Sequence, residues 1–183
     1  RSNLALDGTA TSSSQYPGSS ADMAIDGLRE GKWFAASIAA TNSEFQPWWQ
    51  VDLGANESVG TVELWGRIDD CCDNRLADVW VFASSAPFAS NDPAVLAADP
   101  SVTSVFTPGQ LDDHTVVTIG ATAQFVRVQL AGTNYLELAE VQVYDTDLIA
   151  PDTVITSPVA NEQVATPFMI TGTGTDNRSQ VWL

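Results

Sequence analysis

Between positions 67 and 75 the chain reads Arg-Ile-Asp-Asp-Cys-Cys-Asp-Asn-Arg, so Arg67, Asp69, Asp70, Cys71, Cys72, Asp73 and Arg75 crowd into nine positions. Guanidiniums at the two ends can donate forked hydrogen bonds to hydroxyl or carboxylate oxygens. Carboxylates between them can hold those guanidiniums in orientation through charge-assisted bonds. Cys71 and Cys72 are the only cysteines in the chain, so neither has another partner inside it. Consecutive Cα atoms lie about 3.8 Å apart, below the roughly 4.4–6.8 Å usual across a disulfide, so a bond between neighbours strains the peptide. From the residues alone, two free thiols, a metal-binding pair and a disulfide all stay open.

Such a cluster needs a scaffold, and the flanking pattern describes one. Val51 and Leu53 alternate with polar neighbours, as do Val62 and Leu64 among Thr61, Glu63 and Trp65, which is strand periodicity. Val79-Trp80-Val81-Phe82 is a continuous apolar run, consistent with a strand buried on both faces. Further strands are predicted at 115–119, 125–130 and 136–144. Residues 1–36 read as loop around a short apolar patch at Met23-Ala24-Ile25, and residues 84–113 as a long irregular connection with a helical turn at 94–98. Short strands without an amphipathic helix predict an all-β, antiparallel sandwich. In this frame Trp49, Trp65 and Trp80 are core residues, and Trp33 is expected to pack in its loop or the core rather than on a ligand.

The last strand carries a phase slip. Leu136 and Leu138 share one parity and Val141 and Val143 the other, as a β-bulge would produce. Glu140 has the parity of the leucines, so it is expected to turn inward, where a carboxylate needs a partner such as a cation.

Composition narrows the partners. With 23 Asp and Glu against 7 Lys and Arg, the formal net charge is −16. A surface this acidic repels phosphate backbones and anionic lipid, which argues against nucleic acid and membrane binding. It favours hard cations, calcium above all, which take oxygen ligands. No apolar run reaches the roughly 18–20 residues that span a bilayer. The chain opens at Arg1 without methionine, as expected of a processed or excerpted protein.

After Tyr144 the composition changes. We expect a first domain over 1–146, a linker over 147–152, and an incomplete segment over 153–183 that resembles the opening of a bacterial immunoglobulin-like repeat. About 30 residues cannot bury a sandwich core alone, so completion by more chain or by strand addition from a neighbouring copy is expected.

Residues 3–145 resemble the discoidin superfamily (coagulation factor V/VIII C-type domains) and, within it, the fucose-binding F-type lectins. The resemblance rests on Asn3-Leu4-Ala5, Ala24-Ile25-Asp26-Gly27, Pro47-Trp48-Trp49-Gln50-Val51-Asp52-Leu53, Asp70-Cys71-Cys72-Asp73-Asn74-Arg75-Leu76, and the text from Phe125-Val126-Arg127-Val128 through Leu138-Ala139-Glu140-Val141-Gln142-Val143-Tyr144. It implies an eight-stranded, jelly-roll-like (galactose-binding-domain-like) β-sandwich with a structural calcium. The implied ligands are the side chains of Asp26, Ser37 and Glu140 and the carbonyls of Met23, Leu28, Ser37 and Ala139. It also implies a vicinal disulfide between Cys71 and Cys72, and a sugar site of Arg67, Arg75, Asp70 and that disulfide. Asp69, Asp70 and Asp73 would hold the two arginines.

The sequence departs from the lectin pattern in two places. One extra residue lies between the arginines, and the position expected to hold a sugar-reading histidine is Ala40. The chain's one histidine, His114, lies in another segment and is expected at the surface. A hydroxyl-reading site short of one donor loses selectivity, so glycan binding is a firmer expectation than fucose specificity.

The function expected is therefore a calcium-stabilised, extracellular, lectin-like carbohydrate-binding module of a larger secreted or surface protein, of bacterial origin. The alternative is an adhesive or filament subunit joined through its C-terminal segment without sugar binding. An enzyme ranks last: no serine–histidine–acid arrangement, phosphate loop or histidine cluster is present, and no carboxylate pair sits on a recognisable glycosidase frame.

Overall fold

In the computed structural model, residues 2–35, 37–69, 71–146, 152–159, 162–164 and 166–175 are described. The chain divides into two compact units, Ser2–Thr146 and a second covering Asp147–Leu183.

The first unit is built on one long antiparallel pair. Strand β4 (Trp48–Trp65) runs beside β7 (His114–Leu130), in register from Trp48↔Gln129 to Trp65↔His114. The register breaks between Asp52 and Glu57, where Gly54 takes a φ of 81° that an extended ladder does not accommodate. The break divides the pair. Residues 48–52 continue the sheet through β1 (Thr9–Ser12), and the far half of β7 continues it through β5 (Ala77–Ser84) and β6 (Val102–Gln110). Residues 59–65 pair with β10 (Glu140–Asp145). Short strands β2 (Ala39–Ala40), β3 (Glu44–Phe45), β8 (Thr133–Asn134) and β9 (Glu137–Leu138) form two small ladders, β2 with β9 and β3 with β8. One helix, α1 (Pro93–Ala98), starts where Asp92 Oδ1 accepts from Ala94 N at 2.9 Å and Pro93 takes the first turn.

Alternation fills the core from both halves of the long pair. Trp49, Val51, Val62 and Leu64 of β4 meet Val117, Val126 and Val128 of β7, Val79 and Val81 of β5, and Val141 and Val143 of β10. Burying each such side chain stabilises the fold by ~1.5–3 kcal/mol. Trp49 also donates from Nε1 to the Ala21 carbonyl at 2.9 Å, which fastens a 3-10 turn over Ala21–Ile25 onto the sheet.

Two expectations change. The stretch predicted as an irregular connection contains β6, an edge strand whose Ser, Thr, Pro and Gly lie mostly half-buried or exposed and so show no apolar alternation. The strand predicted over 136–144 is two strands, because at Ala139 the chain leaves its pairing with β2 and joins β4. Ala139 N donates to Trp65 O at 2.8 Å at that crossing, and Glu140 emerges fully buried, as the parity slip predicted.

In the second unit, β11 (Asp152–Ser157) and β12 (Thr171–Thr175) form an antiparallel pair. Residues 147–151 of the expected linker, and the end of the expected immunoglobulin-like segment, lie outside the described residues.

Candidate functional site

The cluster leaves β4 at Gly66. Gly31 lets the early loop approach it: a Cβ there would meet the Gly66 carbonyl at 2.7 Å, and Ile68 N donates to Gly31 O at 2.8 Å. The loop then bends at Cys72, whose φ of 72° is in the left-handed region that few non-glycine residues occupy. A 3-10 turn over Asp73–Arg75 follows and aims Arg75 back at Arg67.

Cys71 and Cys72 are joined by a disulfide. Arg67 donates from Nε and Nη2 to the Asp69 carboxylate, and Asp69 Oδ2 also accepts from the Trp33 backbone N at 3.1 Å. The Arg67 hydrogen bond, aided by the Trp33 amide, holds Asp69 below the usual carboxylate range; the same bond to Asp69 raises Arg67. Asp70 and the Asp73 side chain lie outside the described residues.

Of the acids expected to hold the arginines Asp69 does so, and a further acid from outside the loop takes part. Asp69 holds Arg67, but Arg75 is held by Glu137: Glu137 Oε1 accepts from Arg75 Nη1 at 2.5 Å and from Arg67 Nη1 at 3.3 Å. Glu137 stands opposite Ala40 across the β2–β9 ladder. Trp33, half-buried, packs beside its loop as expected. It lies under Arg67, whose guanidinium carbon is 5.2 Å from the ring centre, and meets Tyr16 edge-on at 5.4 Å. Tyr135 carries Arg75 at 4.3 Å and meets Tyr16 at 5.9 Å. Tyr16, Trp33, Tyr135, the disulfide, Arg67, Arg75 and Glu137 together line a cleft of about 190 Å³.

A larger cavity, about 350 Å³, shares Arg67, Cys72, Arg75 and Glu137 with the cleft and is closed by residues 110–114. His114 lines it. The ring is exposed, as expected, but it stacks on Trp65 with ring centres 3.9 Å apart and Nε2 is 2.9 Å from Glu63 Oε2. Glu137, Tyr16 and Tyr135 were not legible as site residues. Glu137 alternates with Leu136 and Leu138 and reads as solvent-facing; Arg67 and Arg75, brought over its carboxylate by the fold, cover it.

Glu140 is fully buried, and neither carboxylate oxygen has a hydrogen-bond partner. Burial and the nearby Asp26 charge push its carboxyl up to about 7; the Gly27 amide, the Gln142 side chain and Arg29 pull it part of the way back from nearby, none of them within hydrogen-bond geometry of its oxygens. An orphaned buried carboxylate beside a second one is the donor chemistry a hard cation takes. Asp26 closes the 3-10 turn that carries Met23 and accepts from Leu28 N at 2.8 Å. Ser37 is buried and donates its hydroxyl proton to Glu30 O at 2.7 Å, which leaves its oxygen lone pairs for a cation. Among the described residues no group of three or more His, Cys, Asp or Glu is assembled. Two carboxylates would therefore need Ser37 and the carbonyls of Met23, Leu28, Ser37 and Ala139 to complete a shell. The residues fit.

A β-sandwich that raises two guanidiniums, a vicinal disulfide and an aromatic wall around one cleft is a lectin-like domain. Residues 23–128 match the NedA-like, galactose-binding domain of the F5/F8 type C family, and the chain belongs to that family. It is similar to Fucolectin-6 of Anguilla japonica, 29% identical over 150 residues that cover 77% of this chain and 74% of the relative. Fucolectin-5 of the same species is 31% identical over 150 residues, 77% of this chain and 75% of its own. Among solved structures, the lectin domain of Lectinolysin complexed with Lewis B antigen superposes with a TM-score of 0.69 at 31% identity, over 80% of this chain and 98% of that one. Among the described residues no helix is long and apolar enough to cross a membrane.

Proposed function

We propose that residues 2–146 form a calcium-stabilised, extracellular carbohydrate-binding module whose glycan sits in the cleft between Trp33, Tyr135 and the Cys71–Cys72 disulfide. The observation that carries this reading is the pair Arg67 and Arg75, fixed on either side of the disulfide with aromatic rings beneath them. Guanidiniums donate to sugar hydroxyl and ring oxygens, while the disulfide and the rings accept the apolar edge of a pyranose. Support comes from relatives that are fucolectins and from a neighbour solved with Lewis B antigen. A fucose-containing glycan is therefore the first ligand to try, although Ala40 supplies no side-chain donor. The calcium would hold the loop over 23–37 against β10 and so keep Trp33 in place. A glycan array probed with ~1 mM calcium tests the reading, that being the concentration range of extracellular calcium modules. Binding of a defined set, lost in Arg75→Ala with an unchanged fold, supports it; no binding to any glycan refutes it.

A second reading concerns assembly. Ile155, Met169 and Ile170 of the second unit are exposed, with Val154, Val159 and Phe168 beside them. A two-stranded pair does not bury such side chains. We propose that further strands, from a neighbouring copy or from more chain, cover them. Sedimentation velocity over a concentration series separates the two sources: growth of the sedimenting species supports joining between copies, and a constant monomer refutes joining between copies.

A further inference from the structure

Glu137 is the acid that both sugar-facing arginines share. It is 2% exposed, and its Oε1 takes a bond from each guanidinium. Its Oε2 is buried without a hydrogen-bond partner. Its side chain lines the cleft and the larger cavity alike, so it belongs to the wall between them. It faces Ala40 across β2 and β9, and directly opposed residues of an antiparallel pair present their side chains to one side. A carboxylate therefore stands beside the position where the resembling lectins carry a histidine donor.

The charges decide what the cleft can accept. Arg67 and Arg75 contribute two positive charges, and Asp69 and Glu137, hydrogen-bonded to them, contribute two negative ones. Asp112 and Asp113 line the larger cavity and add more negative charge. Each guanidinium still carries more N–H donors than these ion pairs occupy, so hydroxyl oxygens can be read. No net positive charge is left for a ligand carboxylate or sulfate, and the whole chain at −16 repels one.

We infer that Glu137 sets the ligand class of this site: neutral, hydroxyl-bearing glycans are taken, and carboxylated or sulfated ones are refused. The inference rests on the glycan reading above. It makes Glu137 a specificity-determining residue that acts through the two arginines, and it explains why a site built around two arginines does not seek anions.

The test compares the sialylated and desialylated forms of one fucosylated glycan by surface plasmon resonance on wild type and Glu137→Gln. Wild type is expected to bind the neutral form ~tenfold or more tightly than the sialylated form, as expected for a full charge a few ångströms away in a half-desolvated cleft. Glu137→Gln keeps the shape and removes the charge, so the ratio should fall to about one or invert. A purely structural role would weaken both glycans together and leave the ratio unchanged, which overturns the inference. Should the variant not fold, wild type measured at ~0.05 M and ~0.5 M salt still decides, because electrostatic refusal is screened. A ratio that shrinks with salt supports the assignment; a ratio that is constant overturns it. Binding of neither glycan overturns the glycan reading itself, and the charge assignment with it.

Discussion

Removing calcium should unfasten the front of the first unit, and the size of the effect follows from Glu140. That side chain is fully buried with both oxygens unpartnered, and Asp26 adds a like charge beside it. A carboxylate in that state costs several kcal/mol unless it is paired. A cation removes the cost and ties the turn over Ala21–Ile25, which Trp49 already anchors, to β10. Extracellular oxygen sites bind calcium with Kd values near ~0.1 mM, so ~10 mM calcium is about a hundredfold excess. That excess is worth ~2.7 kcal/mol of linkage. For a unit of this size it corresponds to ~5–10 °C in thermal midpoint. Differential scanning fluorimetry in chelator and in calcium should show that rise for wild type. Glu140→Gln should show none of it. The variant carries a sign test as well: in chelator, where the buried charge is uncompensated, it should melt at or above wild type, and in calcium below it. A wild type indifferent to calcium, or a variant with the full response, would refute the reasoning.

Three further outcomes follow from the cleft. Mild reduction of Cys71–Cys72 opens a ring between adjacent residues, which constrains the unfolded chain very little, so the thermal midpoint should barely move while glycan affinity falls; parallel melting and binding curves with and without reductant check it. Asp69 lies below its ordinary value of 3.8 because of Arg67, so its contribution is fully present above that pH and lost as pH falls through its folded value. Glycan affinity should accordingly fall steeply below pH 3.8, whereas Asp69→Asn should be weaker throughout and lack that acid limb in a calorimetric pH series. Trp33→Ala removes the ring under Arg67 and should weaken glycan binding ~threefold to tenfold, with circular dichroism unchanged.

The sandwich was legible because its long strands alternate. Val62 and Leu64, or Val141 and Val143, have one buried face and one polar one, and that pattern survives in the chain text. The edge strand β6 was not, because nothing packs its outer side and its residues carry no apolar period. Likewise β4 reads as two strands, since Gly54 to Ser58 contribute no core side chain and the chain leaves the extended region at Gly54, whose φ is 81°. At the site, Arg67, Arg75 and the cysteines stood together in one loop and could be read directly. Glu140 was betrayed by its parity. Glu137, Tyr16 and Tyr135 come from segments far apart in the chain, and only the fold brings them to the arginines. The partners of Trp33 were not legible because a lone loop aromatic has no periodic context; the Asp69–Trp33 hydrogen bond and the close approach at Gly31 bring it beside Arg67.

The most direct measurement is a crystal structure of the chain with a neutral fucosylated oligosaccharide bound in the presence of calcium. The account predicts a sugar ring in the cleft between Trp33, Tyr135 and the Cys71–Cys72 disulfide, with guanidinium nitrogens of Arg75 or Arg67 within hydrogen-bond distance of its hydroxyl oxygens. A saturating ligand seated elsewhere on the molecule, with both arginines untouched, would contradict it.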